Sequence, residues 1–157
     1  MKTLQKTIFE RYQAEGLHNG SEFYMAPNIP LKKLTTAQST YLQKSLPSDA
    51  DQDVLILGDS TDSGSAKEGF CFTRTHLVFH DRKGLFSKTI TECLDLRTIK
   101  TCQVSPKTGF FSGYLDITFA DGKQKTISVG NTFVYKGDKG PRALFAPFIQ
   151  EWSQAFT

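Results

Sequence analysis

The chain has 157 residues, of which 38% are hydrophobic and 22% charged, a composition that excludes a disordered protein and is typical of one soluble globular domain. The net charge of +3, with acids mixed among the bases, does not indicate nucleic-acid binding. The three cysteines show no CxxC spacing, which argues against a disulfide framework or a zinc ribbon. We expect buried, reduced thiols at Cys71, Cys93 and Cys102.

Charged side chains interrupt the start of the chain, where a signal peptide would need an unbroken apolar stretch. They are Lys2, Lys6, Glu10 and Arg11. No apolar run approaches the roughly 20 residues that a helix needs to span a bilayer. We therefore expect a cytoplasmic protein.

The first fifty residues favour helices. One helix is predicted over residues 3 to about 15, because Leu4, Ile8, Phe9 and Tyr12 fall on one face. Pro27 and Pro30 bracket an extended stretch, since the residue before a proline avoids helical geometry. A second helix follows, with an inner face formed by Leu34, Ala37, Gln38, Tyr41 and Leu42. We interpret residues 1–50 as an N-terminal helical extension.

Residues 53–129 predict seven short antiparallel strands. Val54 opens a continuous apolar run, residues 70–80 alternate as a hairpin, and residues 86–93 and 99–104 form weaker strands. Residues 114–119 alternate cleanly, and the Asp121-Gly122 pair then predicts a tight turn into the last strand.

The chain ends in an amphipathic helix that carries its one tryptophan. The apolar positions on one helical face are Leu144, Phe145, Phe148, Ile149, Trp152 and Phe156. Pro141 suits a first helical turn, whereas Pro147 inside a helix would cost about 3 kcal/mol. A kink at Pro147 and a helix that begins there both satisfy the pattern.

Seven antiparallel strands closed by a C-terminal helix with an inward tryptophan resemble the pleckstrin-homology (PH) superfold in its bacterial PH-like form. The resemblance covers residues 53–156, and Trp152 matches the tryptophan that many such domains carry in the closing helix. It implies a mainly β, α+β fold: a seven-stranded antiparallel barrel or sandwich over residues 51–157, with the helical extension packed against it.

Within that domain, one loop is similar to a pattern of a poorly characterised family of bacterial PH-like proteins, in which Asp-x-Thr precedes Gly-Ser-Ala-Lys-x-Gly. The matching residues are Asp59, Thr61, Gly64, Ser65, Ala66, Lys67, Gly69 and the later Thr73, and residues 28–34 resemble the helical lead-in. The resemblance implies no known activity. From the residues themselves, Asp59 and Thr61 are expected to bind loop amides, with Gly64 and Gly69 required by the backbone. PH domains that bind phosphoinositides carry clustered cations near this loop, and Asp59 and Asp62 stand there instead.

Enzyme chemistry has little support in the sequence. There is no GxSxG elbow, and no recognisable base accompanies a cysteine. His76 and His80 would stand about 13 Å apart along a strand, too far to share a metal, and we expect both at the surface or rim. The 59–64 segment lacks the alternation and closing glutamate of a calcium loop. We therefore expect no cofactor, no metal and no catalytic residue. A cryptic hydrolase at residues 59–67 ranks third among the functional hypotheses, after protein binding and lipid recognition.

The 82–88 hairpin combines cations with apolar side chains. Its candidate residues are Arg82, Lys83, Leu85, Phe86 and Lys88. Such a tip could insert at an anionic membrane, with each base contributing about 1 kcal/mol. Alternatively, Leu85 and Phe86 turn into the core and the cations are solvated.

Thirteen phenylalanines exceed the needs of one small core, and we expect Phe110, Phe111 and Phe133 to contribute to an exposed apolar surface. The sequence therefore favours a non-enzymatic PH-like binding or scaffold module that binds a partner protein or itself as a homo-oligomer. The alternative is recognition of anionic lipid through the 82–88 hairpin.

Overall fold

The structure is a computed structural model, and it describes residues 3–17, 22–61, 63–82, 88–105, 114–128 and 141–156. These residues belong to two compact units: Ser21–Asp95, here called the five-stranded unit, and Met1–Gly20 together with Leu96–Thr157, here called the three-stranded unit. No helix among the described residues is both long and apolar enough to cross a bilayer.

The five-stranded unit is an antiparallel sheet covered on one face by helices. Its strands, in spatial order, are β1 (Phe23–Met25), β2 (Val54–Asp59), β3 (Gly69–Thr73), β4 (His76–Arg82) and β5 (Thr89–Asp95). Helix α2 (Leu31–Ala37) leads through a π-helical turn (Gln38–Leu42) into α3 (Gln43–Ser45).

The register of the sheet explains how this helical segment docks. Leu57, Cys71 and Val78 lie opposite one another on adjacent strands and so share one face of the sheet. They form a buried cluster with Ala37, Tyr41 and Leu42 of the helical segment. The apolar positions that predicted the second helix therefore do face a core.

The three-stranded unit is composed of two segments, one from the N-terminal part of the chain and one from the C-terminal part. After a 3₁₀ turn (Leu96–Thr98), the strands β6 (Ile99–Val104), β7 (Tyr114–Phe119) and β8 (Gln124–Ser128) form an antiparallel sheet in that order. Helix α4 (Pro141–Gln154) packs against β6 and against α1 (Thr3–Ala14). Trp152 is completely buried, with its ring centroid 5.5 Å from that of Phe148, so the tryptophan lies where the apolar stripe predicts it.

The fold is α+β, with two antiparallel sheets and a C-terminal helix. Seven described strands lie between residues 53 and 129, as predicted, and β1 adds an eighth from the stretch before the second helix. The described strands form sheets of five and three and no closed barrel, so the PH-like barrel stays a prediction, as does the boundary between residues 50 and 51. Helix α4 begins at Pro141 and contains Pro147, which answers the question that the sequence left open.

Four sequence expectations need correction. Cys93 is exposed because β5 is the outer strand of its sheet, whereas Cys71 and Cys102 are buried. His76 is buried rather than at the rim. Leu4 is 57% exposed, because the buried face of α1 passes through Gln5 instead. Strand β5 begins at Thr89, later than the predicted strand.

Candidate functional site

The predicted loop motif is built around a buried ion pair that we call the Lys33 network: Lys33, Glu22, Asp59 and Thr61. Lys33 Nζ donates to Asp59 Oδ2 at 2.6 Å and also to Glu22. Asp59 is fully buried, and the Lys33 side chain is only 16% exposed. Asp59 Oδ1 accepts bonds from the Thr61 amide at 2.9 Å and from the Thr61 hydroxyl at 2.5 Å. Both oxygens of the carboxylate are therefore occupied.

The electrostatics of this network favour the charged forms. Burial alone would raise the pKa of Asp59, but the Lys33 ammonium and the Thr61 donors outweigh burial and lower it. Burial likewise opposes the charge of Lys33, and its hydrogen bonds to Asp59 and Glu22 reverse that effect and raise the lysine pKa. An ionised carboxylate with a lowered pKa is a weak general base, so the network supports a structural role for Asp59.

The remaining motif residues shape the backbone of the loop. The Ser65 amide donates to Thr61 Oγ1 at 2.8 Å, and the Gly64 amide donates to the Thr61 carbonyl at 3.0 Å. Gly69 has a φ of +140°, and a Cβ there would lie 1.9 Å from the Gly58 carbonyl oxygen. Only glycine fits this close approach of β3 to β2. Lys67, also in the motif, is exposed.

We expect Asp59→Asn to change how the free energy of unfolding depends on pH under acidic conditions. Because the pKa of Asp59 is lowered on folding, its contribution is complete above about pH 5 and is lost as the pH falls through the folded-state value. Urea unfolding should therefore show that, below about pH 5, the free energy of unfolding falls with decreasing pH more steeply in the wild type than in Asp59→Asn. Parallel curves for the two proteins would contradict the ionised state of Asp59. The raised pKa of Lys33 keeps its contribution intact through neutral pH.

A second candidate site, the β6–α4 groove, lies within the three-stranded unit. It is an open cavity of about 300 Å³, lined by Cys102, Gln103 and Val104 of β6 and by Ala146, Pro147, Gln150 and Glu151 of α4. The sequence did not predict it. Helix α1 holds Glu151 of the α4 wall in place, because the Tyr12 hydroxyl donates to Glu151 Oε1 at 2.8 Å and Arg11 pairs with the same carboxylate.

The outer side of β6 borders this groove and presents outward-pointing backbone groups. The Ser105 amide turns inward to the Tyr114 carbonyl on the β7 side, at 2.9 Å, whereas the Cys102 amide turns outward and donates to Gln150 Oε1 at 3.2 Å. Because inward and outward groups alternate along an antiparallel strand, the Val104 amide and carbonyl also point outward. In the described parts of the chain, no strand pairs with this side of β6.

The other predicted surface residues are mostly beyond the described residues. Lys83, Leu85, Phe86, Phe110, Phe111 and Phe133 all lie outside them, so the exposure expected for Phe110, Phe111 and Phe133 stays a prediction, and the two alternatives for Leu85 and Phe86 stay open. Arg82 ends β4 and Lys88 is exposed. The lipid hypothesis depends on residues 83–87 and likewise stays a prediction.

Local contacts and burial describe the environments of His80, Cys71 and Cys102. Tyr41 stacks on His80 with centroids 4.8 Å apart, and its hydroxyl lies 3.3 Å from Cys71 Sγ. Burial raises the pKa of both Cys71 and Cys102 to about 12, so these thiols are protonated at neutral pH. Among the described residues, no group of three or more histidine, cysteine or acidic side chains is placed to hold a metal ion.

Comparison of the chain with models of known protein families, with curated proteins and with solved structures finds no match. Membership of the bacterial PH-like proteins is therefore still a prediction.

Proposed function

We propose that this protein is a non-enzymatic binding module that takes up an extended peptide segment of a partner protein along the outer side of β6, in the β6–α4 groove. The observation that carries the proposal is the coincidence of a strand edge that pairs with no other strand of the described residues and an adjoining cavity of about 300 Å³. A peptide that adds a strand to a sheet gains main-chain hydrogen bonds from the edge and specificity from a neighbouring pocket.

The backbone supplies the first part of this recognition. The outward amide and carbonyl of Val104 can pair with a peptide strand in the usual antiparallel or parallel pattern. The Cys102 amide is bonded to the half-buried Gln150 side chain, and a peptide carbonyl can replace the Gln150 oxygen as its acceptor. An incoming strand thus finds donors and an acceptor already turned toward it.

The walls of the groove supply the second part. Val104, Ala146 and Pro147 give it an apolar character, and Glu151 places a carboxylate at its border. Arg11 and Tyr12 hold that carboxylate in place, so its charge is partly neutralised. The groove therefore suits one apolar side chain of the peptide, with its neighbours in solvent.

The experiment starts from linear peptides selected on the pure protein from a displayed random library. We expect the selected peptides to shift the amide resonances of residues 101–105, 146 and 148–151. Pro147→Arg should weaken their binding at least about tenfold, because the arginine fills the groove. Pro147 is exposed, and its replacement adds a helical amide, so the fold should be retained.

The matched control is Gln154→Arg, which adds the same charge at an exposed position of α4 outside the groove. We expect it to change binding by less than about twofold. Selected peptides that shift other residues only, or that bind equally to the Pro147→Arg and Gln154→Arg proteins, would refute the proposed site.

A further inference from the structure

Gln150 is the side chain of α4 that reaches the outer edge of β6. Its Oε1 accepts the hydrogen bond of the Cys102 amide at 3.2 Å, although 48 residues separate the two in the chain. This amide points outward in the plane of the sheet, where the carbonyl of an added strand would accept its bond. The Gln150 carboxamide thus stands in for one peptide carbonyl of such a strand.

The register of the three-stranded sheet decides which side chains of an added strand meet Gln150. Cys102 lies opposite Ile117 and Val104 lies opposite Leu115, on the buried face of the sheet against which α4 packs. Residues that lie side by side on neighbouring strands project to the same face. Two peptide side chains, one beside Cys102 and one beside Val104, would therefore project toward α4, and they are two positions apart in the peptide.

These two positions differ in the space that they offer. Gln150 extends from α4 to the Cys102 amide and so occupies the space beside Cys102. The cavity of about 300 Å³ extends along β6 from Cys102 to Val104, and its apolar walls include Val104, Ala146 and Pro147. One position is therefore partly filled by a side chain of the protein, whereas the other opens into the groove.

We propose that Gln150 is a specificity-determining residue of the peptide site, an inference that rests on the proposed function. It restricts the peptide residue beside Cys102 to glycine, alanine or serine, while the residue beside Val104 is large and apolar. The Gln150 carboxamide gives up the Cys102 amide to the peptide carbonyl, but its side chain still starts from α4 next to that position and excludes a large neighbour. The protein therefore selects segments in which a large apolar residue and a small residue stand two positions apart.

Exchange of one peptide residue tests this restriction. The peptides selected on the wild-type protein should share a large apolar residue and a small residue two positions apart. Replacement of that small residue by leucine should weaken binding to the wild type at least about tenfold, but binding to Gln150→Ala less than about threefold, because alanine leaves room for leucine. Gln150→Glu keeps the length of the side chain and its acceptor oxygen, and it should show the wild-type loss.

The matched control is Gln103→Ala, which removes the same carboxamide from the opposite, exposed face of β6 and should also keep the wild-type loss. Gln150 is half-buried and alanine favours a helix, so Gln150→Ala should retain the fold. Peptides that shift residues 101–105 but share no such pair, or that lose equally on leucine replacement with the wild type and Gln150→Ala, would overturn this inference alone. Peptides that shift only other residues would overturn the proposed function as well.

Discussion

Replacement of Trp152 by alanine is expected to lower the free energy of unfolding by about 3–5 kcal/mol, since this is the usual cost of removing a large aromatic side chain from a packed core. Trp152 is completely buried and packs on Phe148, which in turn contacts Tyr12 of α1 edge-on with centroids 5.4 Å apart. The cavity left by the indole would weaken the attachment of α4 to both β6 and α1. Urea unfolding followed by circular dichroism measures the loss.

The control for this variant is Gln154→Ala on the exposed side of the same helix, which should change stability by less than about 0.5 kcal/mol. For a domain of this size, the Trp152 loss corresponds to a fall in melting temperature of roughly 10 °C. If Trp152→Ala melts within a degree or two of the wild type, the packing of α4 described above is wrong.

Lys33→Met should destabilise the protein by about 3–5 kcal/mol, because it removes the cation from a buried carboxylate. Asp59 is fully buried and, within the part of the chain that the structure describes, would keep only the Thr61 donors. The adjacent Lys32 is exposed, so Lys32→Met removes the same charge without this consequence and should cost less than about 0.5 kcal/mol.

Two further measurements identify the cause of the Lys33 effect. The double variant Lys33→Met with Asp59→Asn should recover part of the stability, because no uncompensated charge is then buried. The loss in Lys33→Met should also shrink as the pH falls, because Asp59 without its cation can then take up a proton. A loss that is independent of pH, and additive with Asp59→Asn, would mean that the lysine acts through packing alone.

The elements whose signal is local were predictable from the sequence. Alternation located β3, β4 and β7, the Asp121-Gly122 turn located the hairpin between β7 and β8, and the apolar stripe located Trp152. The loop motif was interpreted correctly as a set of hydrogen bonds around Asp59 and Thr61. In each case, residues within a few positions of one another determine the feature.

The parts that were missed depend on contacts between distant residues. Lys33 stands 26 positions before Asp59, and nothing in the 28–34 segment distinguishes it from Lys32 until the two elements are brought together. Cys93 alternates as it would in an inner strand, and only the strand order places it at an edge. The β6–α4 groove joins segments about 45 residues apart, so no local pattern could indicate it.

The π-helical turn between α2 and α3 settles which side chains of that segment reach the sheet. Ala37 and Leu42 are five residues apart, and in a regular α-helix they would point about 140° away from each other. Hydrogen bonds spaced five residues apart bring such a pair close to the same helical phase. Both side chains are completely buried in the same cluster, together with Tyr41. The segment thus widens one turn, and by doing so narrows the apolar face on which Ala37 and Leu42 lie.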